Sequence, residues 1–163
     1  MRIVHVFRTP TGGLFRHVRD LVRGHQALGH RSGIICDSTT GGENAAILLK
    51  SAEQYCDLGI TRIPISRLPG IGDWRGAKAV AGLLAANRPD IIHCHGAKGG
   101  LYGRLAGRRL AIPSVYTPHG GSLHFHWGLS PGTVYLAAEA QMRRIGDGLI
   151  FVCEHEKKLF DQK

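Results

Sequence analysis

Short apolar runs and amphipathic segments alternate along this chain from its first residues to its last. Ile3-Val4-His5-Val6-Phe7 is a strand-like run that breaks at the turn Thr9-Pro10-Thr11-Gly12-Gly13. Leu14, Val18, Leu21, Val22 and Leu28 then recur at helical spacing, with Arg16, Arg19, Asp20 and Arg23 between them. That spacing predicts a helix stopped by Gly29. The pattern repeats, with strands expected over 32–36, 61–65, 90–95, 113–117 and 148–152. The helices between them are expected over 44–55, 77–87, 98–110 and from Pro131 to Ile145. Apolar strands alternating with helices of roughly 10–15 residues give βαβ units and a parallel sheet buried on both faces. The expected fold is therefore α/β: a Rossmann-like open parallel sheet with helices on both faces.

Composition excludes several other classes. With 43% apolar residues the chain can bury a core, so global disorder is excluded. Its 23 glycines follow no period, which excludes a collagen-like chain. The 29 residues from Leu110 to Ala138 contain no Asp, Glu, Lys or Arg, yet Pro113, Pro118 and Pro131 break the stretch too often for a membrane span. No secretory signal opens the chain, and the 4 cysteines form no C-x-x-C pair. Reduced thiols and a cytoplasmic setting are expected.

In an open parallel sheet, ligands collect beyond the carboxyl ends of the strands. Four predicted loops there carry the pairs Gly12-Gly13, Gly41-Gly42, Gly99-Gly100 and Gly120-Gly121. Such pairs serve either as tight turns or as places where backbone N–H groups approach a phosphate. A nicotinamide dinucleotide fits poorly: the first loop reads G-G-x-x-x-H instead of G-x-G-x-x-G, although Asp37 ends the second strand. His93, His95, His119, His124 and His126 gather at the same edge. Without a neighbouring carboxylate or a cysteine at ligand spacing, they predict hydrogen bonding to a polar ligand and no metal. His93, in mid-strand, is read as structural.

Gly12-Gly13, the run Asp90-Ile91-Ile92-His93-Cys94-His95, Lys98-Gly99-Gly100 and Tyr116-Thr117-Pro118-His119-Gly120 occur in the order found in one enzyme family. The chain resembles the N-terminal half of retaining glycosyltransferases of the GT-B fold, and more narrowly the bacterial family 4, or group 1, type that builds exopolysaccharides and glycolipids. Phe151-Val152-Cys153-Glu154-His155-Glu156 resembles the family's strand-to-helix segment, with Cys153 where the family carries Ser. The resemblance implies an acceptor-side domain spanning residues 1–163 and ending within a helix, with the donor-nucleotide domain absent and this chain alone inactive. It implies that Gly12, Gly13 and Gly120 approach the donor diphosphate and sugar, and that His119 contacts the transferred sugar as the catalytic residue. His95, Lys98, His124 and His126 are expected to line the acceptor side. The implied co-substrate is a sugar nucleotide, with no other cofactor and no metal. A turn-capping role for His119 and a solvated one for Lys98 stay open beside these.

Lys and Arg total 21 against 12 acids, a net charge of +9. No nucleic-acid-binding motif accompanies the charge, so nucleic acid is not the expected partner. An anionic membrane surface carrying a lipid-linked acceptor fits better, with Arg16, Arg19, Arg23, Arg104, Arg108 and Arg109 as candidates. Two other functions remain: a nicotinamide-dependent or nucleotide-sugar-modifying enzyme, and a non-catalytic module bound at the membrane surface.

Overall fold

The computed structural model describes residues 1–120, 133, 137, 140–142 and 144–162. Six parallel strands form one sheet: β1 (Arg2–Val6), β2 (Arg31–Asp37), β3 (Ile60–Ile63), β4 (Ile91–His95), β5 (Ser114–Thr117) and β6 (Gly148–Leu149). Their order across the sheet is β3-β2-β1-β4-β5-β6, as in a Rossmann fold. Helices α1 (Gly12–Ala27), α2 (Gly42–Ala52), α3 (Ile71–Asn87), α4 (Gly96–Leu110) and α5 (Glu154–Asp161) follow strands β1, β2, β3, β4 and β6. The expected architecture is present. The differences are at ends: α3 starts six residues before the expected Ala77, and β6 holds two residues of the expected five. In the helix expected from Pro131 to Ile145, the described positions 133, 137 and 140–142 are helical.

Side chains alternate across each strand, so each sheet face has its own core. Val4 and Val6 of β1, Ile92 and Cys94 of β4 and Tyr116 of β5 pack with Val80, Leu84, Tyr102 and Ala106 of α3 and α4. On the other face, Phe7, Ile34 and Cys36 pack with Phe15, Val18 and Val22 of α1 and Leu49 of α2. The second face is not apolar throughout: His5 of β1 and His93 and His95 of β4 are buried there, together with Thr117 of β5.

The glycine excess has a packing cause on α4. A Cβ on Gly99 would run into the Val6 carbonyl oxygen and the Phe7 Cα, and one on Gly100 into the Tyr116 ring. One on Gly107 would lie 2.8 Å from the Ile112 carbonyl oxygen. Close helix–sheet approach thus selects these glycines. The pair Gly99-Gly100, read above as one of four strand-end loops, lies inside a helix that already begins at Gly96. It holds α4 against the sheet and offers no amides to a ligand.

Candidate functional site

The strand order reverses between β1 and β4, whose following helices cover opposite faces of the sheet. That switch opens a crevice at the carboxyl edge. A pocket of about 640 Å³ lies there, lined by Gly13, Leu14 and His17 of α1, His119 and Gly120 after β5, and Cys153, His155 and Glu156 at the start of α5.

The α1 side presents an open helix N-terminus, the kind of end that favours an anion. Gly12 has φ +70°, and a Cβ at Gly12 or Gly13 would meet nothing within 4 Å, so the loop is open on its outer side. Among the described residues Thr11 makes no side-chain cap and the first turn carries no acid, which leaves the first N–H groups and the positive helix end without a capping side chain. Arg8, at the start of the same loop, has a buried Nη1 with no hydrogen-bond partner among the described residues.

The β5 side carries His119 in the left-handed region, at φ 56°. Among the described residues the two other non-glycine residues with positive φ, Arg88 and Ala111, close α3 and α4, where such a cap is ordinary. His119 closes no helix. Its backbone sits in a conformation that costs on the order of 1 kcal/mol for an L-residue, held beside Gly120 at φ +69°. Glu156 fixes this loop from the other side. Its carboxylate accepts hydrogen bonds from the Gly120 N–H (2.6 Å) and the Val152 N–H (2.9 Å) and is itself buried.

Behind His119 runs a chain of imidazoles. His119 Nε2 lies 3.0 Å from His95 Nδ1, and His95 Nε2 lies 3.0 Å from His5 Nδ1. The remaining His5 nitrogen, Nε2, is buried with no hydrogen-bond partner among the described residues. A lone pair costs less there than an orphaned N–H, so the His5 proton belongs on Nδ1. Each link then donates toward the pocket, which leaves the His119 proton on Nδ1, away from the chain. Burial pushes the His119 pKa down to about 4, with repulsion from His17 adding to it. Burial likewise lowers His93 to about 3 and holds His5 and His95 well below the usual value. The site therefore presents neutral imidazole at neutral pH, with an N–H to donate.

The structure brings Gly13, His119 and Gly120 together at one pocket, with Gly12 beside it. His95 is wholly buried and lies behind His119 and His17, which line the pocket. Lys98, expected at the acceptor side, is buried instead: its Nζ donates to the Leu68 carbonyl (3.1 Å) and pairs with Asp73, which also accepts from Tyr102. It braces α4 to α3. Asp37 also faces inward, accepting from the Thr39 hydroxyl (2.8 Å) and the Ile65 N–H (2.8 Å), so no ribose-binding carboxylate is presented at β2. His124, His126 and the aromatic loop around them lie outside the described residues.

Sequence reasoning missed His5, His17, Arg8 and Glu156. The G-x-x-x-H spacing from Gly13 to His17 held a signal, because it sets His17 one turn into the helix. Its ring lies 5.1 Å from that of His119 at 71°. His5 is legible only through register, since it stands opposite His93.

Comparison with known proteins identifies the family and the fold. A family model described as a glycosyl transferase 4-like domain matches residues 12–163. No curated protein matches the chain. Among solved structures, Anabaena HepE in complex with UDP and glucose is similar over 99% of this chain and 41% of that one, at 17% identity and a TM-score of 0.74. Sucrose-phosphate synthase from Thermosynechococcus elongatus is similar over 99% and 45%, at 14% identity and TM-score 0.71. The UDP-GlcNAc 2-epimerase from Methanocaldococcus jannaschii is similar over 99% and 42%, at 14% identity and TM-score 0.69. The chain thus spans less than half the length of these structures, and the likeness to them is one of fold.

Proposed function

The chain belongs to the glycosyl transferase 4-like domain family, and on that premise we propose that it is the acceptor-side half of a retaining glycosyltransferase. The enzyme would move a sugar from a sugar nucleotide to a saccharide or lipid-linked acceptor. The observation that carries this reading is the juxtaposition of uncapped α1 amides and a neutral His119 at one pocket.

In glycosyl transfer the bond between the anomeric carbon and the diphosphate oxygen breaks, and the acceptor oxygen forms the new bond. Negative charge grows on the leaving diphosphate and positive charge on the sugar ring. Fixed N–H groups at Gly12 and Gly13 and the α1 dipole suit the first. The neutral His119 suits the second, because it adds no repelling charge beside the ring and can donate Nδ1–H to a sugar oxygen. Glu156 keeps Gly120, and with it His119, in place.

The same fold in sugar-nucleotide epimerases supplies a second reading, a nucleotide-sugar-modifying enzyme. Product analysis separates the two. The full-length protein incubated with UDP-glucose and other sugar nucleotides should yield a glycoside only when an acceptor is supplied, and the 163-residue chain alone should yield none. An epimerised sugar nucleotide formed without acceptor would overturn the transferase reading.

A lipid-linked acceptor requires a membrane surface. Among the described residues no helix is long and apolar enough to cross a membrane, so contact would be peripheral. Arg104, one of the arginines expected there, is buried, bonded to the Gly100 and Met142 carbonyls and stacked on Tyr116. A better candidate is the start of α3. Leu68, Ile71 and Trp74 are 69%, 83% and 68% exposed, beside exposed Arg75 and Lys78. Apolar side chains rimmed by cations suit an anionic bilayer surface. The protein should sediment with anionic vesicles at low salt and be released as salt is added, and Trp74→Ala should weaken the binding. Equal partitioning onto neutral and anionic vesicles would count against this surface.

A further inference from the structure

We propose that His17, His95 and His119 form a binding site for a divalent transition-metal ion of the zinc class at the wall of the pocket. The three side chains come from α1, the end of β4 and the loop after β5. One ring nitrogen from each lies within 4.8 Å of the others.

The donor set selects the ion. Three imidazoles without a carboxylate or water-rich cage favour zinc, copper, nickel or cobalt over magnesium or calcium. Three protein nitrogens around zinc also leave a fourth position for water or a ligand, the arrangement of open sites. Here the open side is the pocket itself, which His17 and His119 line.

Two further features point to an ion rather than a chance gathering of rings. His17 Nε2 is buried with no hydrogen-bond partner among the described residues, a lone pair or N–H left without use. His95, the deepest of the three, would ligate through Nδ1 and so carry its proton on Nε2, donated to His5 Nδ1 at 3.0 Å, the reverse of the metal-free arrangement in which His5 donates. Such an outer partner orients a metal-ligating histidine. Tetrahedral zinc places ligand nitrogens roughly 3.4 Å apart. His95 and His119 already stand 3.0 Å apart, and a His17 ring nitrogen lies within 4.8 Å of both, so a small side-chain rotation closes the set. The neighbouring group His5, His93 and His95 is wholly buried and shares His95, so filling both at once would require His95 as a fully deprotonated bridging imidazolate.

Cobalt(II) is the probe, because four-coordinate cobalt absorbs in the visible and zinc does not. The protein should bind one cobalt ion with the visible bands of four-coordinate geometry, and zinc should bleach them. His17→Gln and His119→Gln should each weaken binding by at least ~10–100-fold, the loss seen even for outer-sphere partners. His30→Gln, beside the N-terminal amine, should leave binding unchanged. Far-UV circular dichroism shows that each variant keeps its fold. A folded His17→Gln protein that binds cobalt as the wild type does, or a wild type that gives no four-coordinate spectrum, overturns the site. The measurement needs no sugar nucleotide, so its outcome is independent of the transferase reading. If that reading holds as well, the ion and the sugar compete for His119, and zinc should slow transfer until a chelator is added.

Discussion

Lowering the pH from about 7.5 to 5 should cost this domain at least about 2 kcal/mol of stability, because an unfolded imidazole with pKa near 6.5 takes up a proton that a buried one refuses. His93 is the plainest case. Burial holds its folded pKa at about 3 against the ordinary value of 6.5. Below 6.5 the unfolded chain binds more protons than the folded one, so stability falls as pH falls, through the whole window down to about 3. At pH 5 the loss through this one side chain is about 2 kcal/mol. His5 and His95, also held well below the usual value by burial, act in the same direction. His119 adds less, being partly open to solvent. Against a total stability of about 5–15 kcal/mol for an ordinary domain, the His93 loss alone is a substantial share, and the other two rings add to it in the same direction. Asp37 and Asp73 do not offset this. Burial pushes their pKa values up, but N–H donors on Asp37 and the Lys98 and Tyr102 contacts of Asp73 outweigh it, so both deepen the loss only at still lower pH. Urea midpoints measured at half-unit steps of pH would show the decline beginning near 6.5. A midpoint that stays level between pH 7.5 and 5 would mean that the imidazole layer is not buried as a neutral group.

That imidazole layer also marks the limit of what could be read from sequence. The sheet, its parallel sense and its two helical layers follow from apolar runs of strand length alternating with amphipathic stretches, a pattern that survives without tertiary information. Gly12-Gly13 and His119 are legible too, since each follows directly on a strand that the pattern locates. What fails is whatever depends on distance in space between residues remote in sequence. Lys98 reads as a charged residue near a strand end, yet a single Asp73, 25 positions away, draws it into the core. Gly99-Gly100 reads as a loop pair, and only the closeness of the Val6 and Phe7 backbone shows it to be a packing surface. His5 reads as a polar interruption of a strand, although it supports His95 across 90 positions of sequence. Glu156 reads as one of several acids in a polar helix, while in the fold it holds the loop that carries His119. Chain order locates the pocket, and the residues that tune it come from register and helix docking.

Replacing His119 in the full-length protein should lower kcat far more than it raises KM. A contact that strengthens as charge develops on the sugar is missing most in the transition state, and such losses fall on kcat. A positioned donor or acid–base group of this kind is typically worth ~10²–10⁴-fold, and His119→Ala should fall in that range. The variant His119→Asn should recover part of the loss, for two separable reasons. Asparagine tolerates the left-handed backbone that His119 adopts at φ 56°, and its amide remains a neutral N–H donor. The pH profile distinguishes this role from general-base catalysis. With a pKa near 4, His119 keeps its charge state constant through the neutral range, so kcat should show no break near 6.5 attributable to it. A proton-abstracting histidine of ordinary pKa would produce such a break, and His119→Asn would erase it. The acid side of the profile has to be read above the pH at which the imidazole layer starts to unfold the domain, which confines the comparison to the region above about 6.5 and to short assays just below it. If His119→Ala stays within a factor of about three of the wild-type kcat, well under the ~10²-fold floor for such groups, then His119 only closes the turn after β5, and the sugar contact belongs to another residue of the pocket.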